Sequence, residues 1–392
     1  MMLILQIGFW ITVLFILHSY VLFPYVLYLL GKNKKENSLT FLSKGEDLPS
    51  VAVLMAVHNE EAVIEKKIYS LFASDYPLDK LHFYIGSDCS KDQTEEKIRK
   101  LQTVFPSLHL EVFHERTGKV EIINCLENVV KEPILVLTDA NVFFDTDTIY
   151  QLVKHFKNPA IAVVGGNILN EKYKTGGISF QEKKYLEREN FIKYHEGLIW
   201  GVMIGAFGGC YAIRKKSYTP VPSDLPVDDF YISMNVLKKG DKAISEMKAI
   251  SYEDVSNKMS EEFRRKVRIS MGNFQNLKVY KNLLWPPFTA LAFCFFSHKV
   301  LRWITPFLLI VALVLNNFLF DISPLYKFTF IVQIAFLLVP LLDVLLKKIE
   351  INFKLFRFIT HFYSMNLALL VGFFKYSTGV KLNVWKPTER NQ

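Results

Sequence analysis

Hydrophobic positions along the chain follow two regimes. At the start, residues 3–30 are almost uncharged, interrupted by His18 and a few polar residues, and are long enough to cross a bilayer as a helix. No basic segment precedes this stretch and no small-residue cleavage site follows it, which favours an uncleaved anchor over a secretory leader. Apolar density returns after residue 285. Segments 303–320 and 325–346 predict spanning helices, whereas 286–297 is too short and reads as an interfacial or re-entrant piece. Segment 355–374 is expected to lie in the interface, because spanning would place Lys375, Lys381, Lys386 and Arg390 outside, against the charge rule.

Between these ends the pattern changes. Strand-like runs at Val51–Val57, 82–87, 108–114 and Ile134–Thr138 alternate with helical patterns near 60–73, 92–103 and 118–130. Such alternation predicts an α/β fold with a mainly parallel sheet covered by helices on both faces. The polar residues then fall in one place: His58-Asn59-Glu60-Glu61, Asp88, Arg116 with Lys119, and Asp139 each follow a strand end. In a parallel sheet those ends share one edge, where ligands of open α/β folds gather.

Composition adds to this picture. The apolar fraction of 51% and a mean hydropathy of +0.18 are high for a wholly soluble chain. The net charge of +9 is explained by basic residues beside the apolar segments: Lys32, Lys34 and Lys35 after the first, His298, Lys299 and Arg302 before the second, Lys347, Lys348 and Lys354 after the third. These mark cytoplasmic ends and meet anionic lipid, so nucleic acid is not needed as a partner. The four cysteines, Cys89, Cys125, Cys210 and Cys294, have neither C-x-x-C spacing nor a histidine cluster, which fits a reducing compartment and argues against zinc. Residues 36–48 are the one linker-like stretch, and no internal repeat is present.

Taken singly, each candidate has an ordinary reading. Asp88 and Asn59 suit helix caps or Asx turns, Arg116 and Lys119 suit solvated charges, and Asp228-Asp229 suits an acidic helix start. Four strand ends carrying anion-binding or metal-binding groups together point instead to a site.

As a set, these residues resemble the membrane-embedded branch of family 2 glycosyltransferases, with the cellulose, hyaluronan and poly-N-acetylglucosamine synthases. Val57-His58-Asn59-Glu60-Glu61 resembles the family's opening strand and loop, Ser87-Asp88-Cys89-Ser90-Lys91-Asp92 its S-D-x-S-x-D element, Arg116-Thr117-Gly118-Lys119 its R-x-G-K loop, and Thr138-Asp139-Ala140-Asn141 its D-x-D. Gly208, Gly209 and Tyr211 fall in a segment similar to its glycine-rich acceptor strand, and Val227-Asp228-Asp229 in one similar to T-E-D. Arg265-Lys266-Val267-Arg268-Ile269 occupies the place of Q-x-x-R-W, with Arg265 for the glutamine and Ile269 for the tryptophan.

The resemblance implies an N-terminal transmembrane anchor at 1–31, a cytosolic GT-A, Rossmann-like domain at 49–284, interfacial and transmembrane helices at 285–380 and a cytosolic tail at 381–392. It implies Asp229 as general base with Asp228 in support. Donor contacts would come from His58, Asn59, Glu60, Asp88, Arg116, Lys119, Asp139, Arg265 and Arg268, and acceptor contacts from Gly208, Gly209 and Tyr211. Asp139 and Asn141 would hold Mg2+ or Mn2+, with the amide of Asn141 a weaker ligand than the usual carboxylate. The implied function is inverting transfer of a sugar, expected to be UDP-linked, to a cell-surface or extracellular polysaccharide. Alternatives are a single addition to a lipid-linked acceptor, which the loss of the stacking tryptophan at Ile269 favours, and a non-catalytic nucleotide-sugar-binding membrane protein. The charged, helix-like 181–196 stretch, with Tyr185, Phe191 and Tyr194, is expected to be a solvated amphipathic helix, with the lining of an acceptor path as the alternative reading.

Overall fold

The computed structural model describes residues 1–34, 40–170, 179–253, 259–349, 351 and 353–379. One sheet is built from β1 (Val51–Val57), β2 (Leu81–Asp88), β3 (Leu108–Phe113), β4 (Ile134–Thr138), β5 (Val142–Phe144), β6 (Ile161–Asn170), β7 (Cys210–Arg214) and β8 (Lys242–Glu253). Its order is β3-β2-β1-β4-β7-β6-β8-β5. The first four strands are parallel, as their alternation with helices predicts. The helices Ile64–Phe72, Thr94–Gln102 and Lys119–Val129 make the crossovers.

The second half departs from this rule. β7 runs antiparallel between β4 and β6, and β5 pairs antiparallel with β8, while β6 and β8 pair in parallel. Reversal of β7 has a consequence for the site: its first residue, Cys210, pairs with Thr138, the last of β4. The glycines before β7 are thereby carried to Asp139.

Side chains of each strand alternate between two cores. Ala52, Leu54, Ala56, Leu135 and Leu137 face one core with Ile122 and Phe230, while Val51, Val53, Met55, Ile134 and Val136 face the other with Ile64, Ile68 and Ile98. The first core also takes in Phe23, Leu27, Phe295 and Trp303. The apolar terminal helices therefore pack directly against one face of the sheet.

Among the described residues, four helical stretches are long and apolar enough to cross a membrane: Met2–Gly31, Ala290–Leu319, Pro324–Lys348 and Lys354–Ser377. The expected short piece at 286–297 is not separate. Ala290–Cys294 continues through a π-helical turn, Phe295–Val300, into Leu301–Leu319. Continuity across His298, Lys299 and Arg302 is possible because protein carboxylates, rather than lipid headgroups, meet these residues. Glu189 takes up His298, Lys299 and Arg302, and Glu196 takes up His298. Lys354–Ser377, expected in the interface, is one 24-residue helix of spanning length. It lies close along the Met259–Tyr280 helix, where Ser270 Oγ donates to the Leu369 carbonyl at 2.9 Å. The 381–392 tail lies outside the described residues.

Candidate active site

The ends of β1, β2 and β3 interlock. Asp88 is 1% exposed, and its carboxylate accepts from the backbone N–H groups of Thr117 (2.7 Å) and Gly118 (3.2 Å) and from Arg116 Nε (3.0 Å). His58 Nδ1 donates to the Asp88 carbonyl at 2.7 Å, so its Nε2 is the acceptor for the Arg116 guanidinium at 2.6 Å. Asn59 and Cys89, facing each other across this junction, both adopt φ of 53°, an uncommon conformation for side-chain-bearing residues that tends to occur at functional loops. Asn59 holds the arrangement by accepting from Lys91 N at 2.8 Å. Gly118, at φ 90°, gives the 116–119 loop its turn around Asp88.

Asp88 and Arg116, both expected donor contacts, bond each other and brace this loop at the rim of the strand ends, beside the cleft. Their effect on a ligand is to fix the loop that presents Lys119. Glu60 lines the cleft.

That cleft, a cavity of about 390 Å³, runs from Lys119 and Asp139 past Asp229 to Trp303. Lys119 Nζ donates to Asp139 Oδ1 at 2.8 Å and lies 3.6 Å from Asp228 Oδ2. Burial alone would lower its pKa, but Asp139 and Asp228 outweigh this and raise it. Asp228 and Asp229 open the Asp228–Lys238 helix. Asp229 carries a pKa pushed up to about 6, by burial first and the neighbouring Asp228 second, against the pull of Lys119 and Lys193. A carboxyl so tuned is a competent proton acceptor near neutral pH.

Gly208 borders this base. A Cβ there would meet Asp229 Oδ2 at 3.2 Å, so the glycine leaves the carboxylate open to the cleft. Tyr211 does not share that place. It is fully buried in the core, paired with Leu137 in the sheet, and does not line the cleft. Strand phase puts it there, since from Cys210 on successive side chains take opposite core faces, while its hydroxyl still feels the charges of Asp228, Asp229 and Asp139; the expected acceptor contact would have to run through that buried hydroxyl. Gly209 sits against Val142.

Arg268 and Ile269 line the cleft from the Met259–Tyr280 helix. Arg268 makes no hydrogen bond or ion pair among the described residues, so its guanidinium is open to an incoming anion. Arg265 instead faces Glu253 at 3.6 Å and Glu262 at 3.8 Å. Glu253 also accepts from Asn141 Nδ2 at 3.3 Å. The two departures from the family pattern, Asn141 and Arg265, thus meet on one carboxylate. Glu253 ends β8, and a strand-end reading extended beyond β4 finds it.

For a divalent cation the donor set is suitable though small. Asp139 already holds a cation, the Lys119 ammonium, and the Nδ2 bond to Glu253 leaves the Asn141 carbonyl oxygen as the free end of its amide. Both are hard oxygen ligands of the kind Mg2+ and Mn2+ take alongside phosphate and water. Among the described residues no group of three or more His, Cys, Asp or Glu side chains comes together as a metal site, so any such ion would rely on its substrate for most of its ligands.

Two buried lysines escaped the sequence reading. Lys67, fully buried, donates to Thr138 Oγ1 at 2.8 Å and to the Val142 carbonyl, gripping both ends of the turn that carries Asp139 and Asn141. Burial lowers its pKa to about 7. Lys193 lies on the Ser179–Trp200 helix, which is not the solvated helix expected: Glu189, Asn190, Lys193 and Glu196 are all buried.

The comparisons with known proteins agree with this geometry. Residues 52–219 match the model of glycosyl transferase family 2. The chain carries a family 2 domain. Among curated proteins, this domain is similar to the beta-monoglucosyldiacylglycerol synthase of Synechocystis, 28% identical over 118 residues, 30% of this chain and 25% of that protein. It is also similar to the glycosyltransferase AglE of Haloferax volcanii, 25% identical over 130 residues, 33% of this chain and 42% of that one. The matched region thus spans less than half the length of either relative. Among solved structures, the mannosyltransferase PcManGT from Pyrobaculum calidifontis, in complex with GDP-Man and Mn2+, superposes over 95% of this chain and 100% of its own with a TM-score of 0.71 at 19% identity. That likeness shows the GT-A fold of the family 2 domain and its apolar helices together.

Proposed function

We propose that this protein is an inverting, membrane-associated glycosyltransferase that moves a sugar from a nucleoside-diphosphate donor to an acceptor entering from the membrane side of the cleft. The observation that carries the reading is the meeting in one cavity of Lys119 and Asp139, from the segment that matches family 2, with Asp229 and Arg268, which follow it in the chain. Asp229 accepts the proton of an acceptor hydroxyl as that oxygen bonds to the anomeric carbon and the bond from that carbon to the diphosphate breaks. Lys119 and Arg268 take up the charge that develops on the departing diphosphate. Asp139 and Asn141 would hold a divalent cation, which supplies further charge neutralisation there. The neighbour's GDP-Man complex makes GDP-linked sugars candidates beside the expected UDP-linked ones.

Within this reading a lipid-linked acceptor is favoured over a growing polysaccharide. Ile269 lines the cleft where the family's polymerising members carry a stacking tryptophan, and the cavity ends at Lys299 and Trp303 on a helix of spanning length. A panel of UDP- and GDP-sugars with Mn2+, read as nucleotide release and product size, tests it. Turnover of one donor with loss in Asp229→Asn supports the reading. No release from any donor, or full activity of that variant, sinks it.

A further inference from the structure

Most cations lining the cleft have a bonded carboxylate. Lys119 has Asp139, Lys266 has Glu182 and Glu262, Arg265 has Glu253, and Lys299 has Glu189. Among the described residues two cations have none. One is Arg268, open toward the expected diphosphate.

The other is Lys193. It is 4% exposed and lines the cavity, with its ammonium 3.3 Å from the centroid of the Phe207 ring. Cation–π contact offsets part of the cost of burying an ammonium, but it is weaker than the water lost. Its charged surroundings are Lys299, Glu189, Asp229 and Glu196. Glu189 is already neutralised by His298, Lys299 and Arg302, and Glu196 is bonded to His298 and to the Ile204 N–H. Burial and Lys299 together bring the Lys193 pKa down to about 7. A buried ammonium facing a cavity without a hydrogen-bonding counter-charge suits an anionic ligand.

Position identifies which substrate brings that anion. Asp229 acts on both cations, but Arg268 also feels Asp139 and Asp228, whereas Lys193, seated over Phe207, feels Glu189 and Glu196 of its own helix and Lys299 of the membrane-proximal one. Lys193 therefore stands on the far side of the base from the diphosphate site, where the acceptor enters. Phe207, beneath its ammonium, continues directly into Gly208 beside Asp229.

We infer that Lys193 anchors an anion subsite on the acceptor side of the cleft, which receives a phosphoryl group carried by the acceptor while the acceptor's hydroxyl lies against Asp229. This rests on the transferase reading for the word acceptor. The phosphoryl group itself could belong to a lipid phosphate or to a free sugar phosphate, and the same chemistry recognises both.

Full-length protein in detergent, with the donor site saturated by UDP and Mn2+ or by GDP and Mn2+, is titrated with farnesyl phosphate, farnesol and inorganic phosphate. Farnesyl phosphate should bind about 10–100-fold more tightly than farnesol, the range of a hydrogen bond to a charged group. That preference should vanish in Lys193→Met and persist in Lys193→Arg. Competition by inorganic phosphate as strong as by farnesyl phosphate assigns the subsite to free phosphates, and competition by the lipid alone assigns it to lipid phosphates. Equal binding of farnesol and farnesyl phosphate to the parent overturns the inference, even where Lys193→Met does not fold, and so does an unchanged preference in that variant. A parent that binds neither nucleotide sinks the transferase reading, while the farnesyl phosphate to farnesol ratio still decides the anion subsite.

Discussion

The two halves of the cleft treat their charges differently. On the side of β1 to β4, Asp88, Arg116 and His58 satisfy one another and Lys119 is bonded to Asp139 before any ligand arrives. Toward the apolar helices, Lys193 and Arg268 stand without bonded partners around a base whose pKa is raised. The first half is a preorganised frame, rigid because each buried polar group is answered within the protein. The second keeps its electrostatic capacity open, as suits a region where reacting groups come and go.

Breaking the open half should give the largest effects. Asp229→Asn, which cannot take a proton, is expected to lower transfer by roughly 10²–10⁴-fold, measured as initial rate at saturating donor. Asp139→Ala should cost about 10²–10³-fold in the same assay and weaken the response to Mn2+. The pH profile sharpens the contrast. Asp229 works as its carboxylate, and its pKa is raised to about 6, so the rate should rise with pH through that value and level off above it. A profile that levels off below about pH 5, near the ordinary carboxylate range, would remove the base from the open half.

The frame should answer with stability instead. Arg116→Leu leaves the buried Asp88 carboxylate with only its backbone donors, and an expected loss of about 1–3 kcal/mol should appear in chemical or thermal unfolding. If donor KM rises with no loss of stability, Arg116 is a ligand contact and not part of the frame. Smallest is Asn141→Asp: a second carboxylate should tighten Mn2+ by roughly a few-fold, partly offset by repulsion from Glu253, 3.3 Å away in the present pairing.

How much of this was legible in the sequence also divides along the cleft. Apolar runs ending in Asp88 and Asp139 announce parallel strands and their shared edge, because alternation with helices leaves few other topologies. The antiparallel β7 gives no such signal. Its residues are apolar on both faces, so no pattern tells which face Tyr211 takes or that it is buried there. Lys67 and Lys193 were hidden for the opposite reason. A lysine in a helix reads as a solvated charge, and only packing reveals that one grips the Thr138 to Val142 turn and the other faces a cavity. Glu189 was equally disguised, since its partners lie more than a hundred residues away.

The Glu189 cluster also limits movement. His298, Lys299 and Arg302 hold the Ala290–Leu319 helix to the Ser179–Trp200 helix, which itself walls the cleft. For a helix that crosses a bilayer, sliding along the membrane normal would pull His298, Lys299 and Arg302 away from one buried carboxylate. In the proposed transferase the cluster would act as a depth gauge, setting the height of Asp229 above the lipid surface and with it the length of acceptor that can present a hydroxyl to the base.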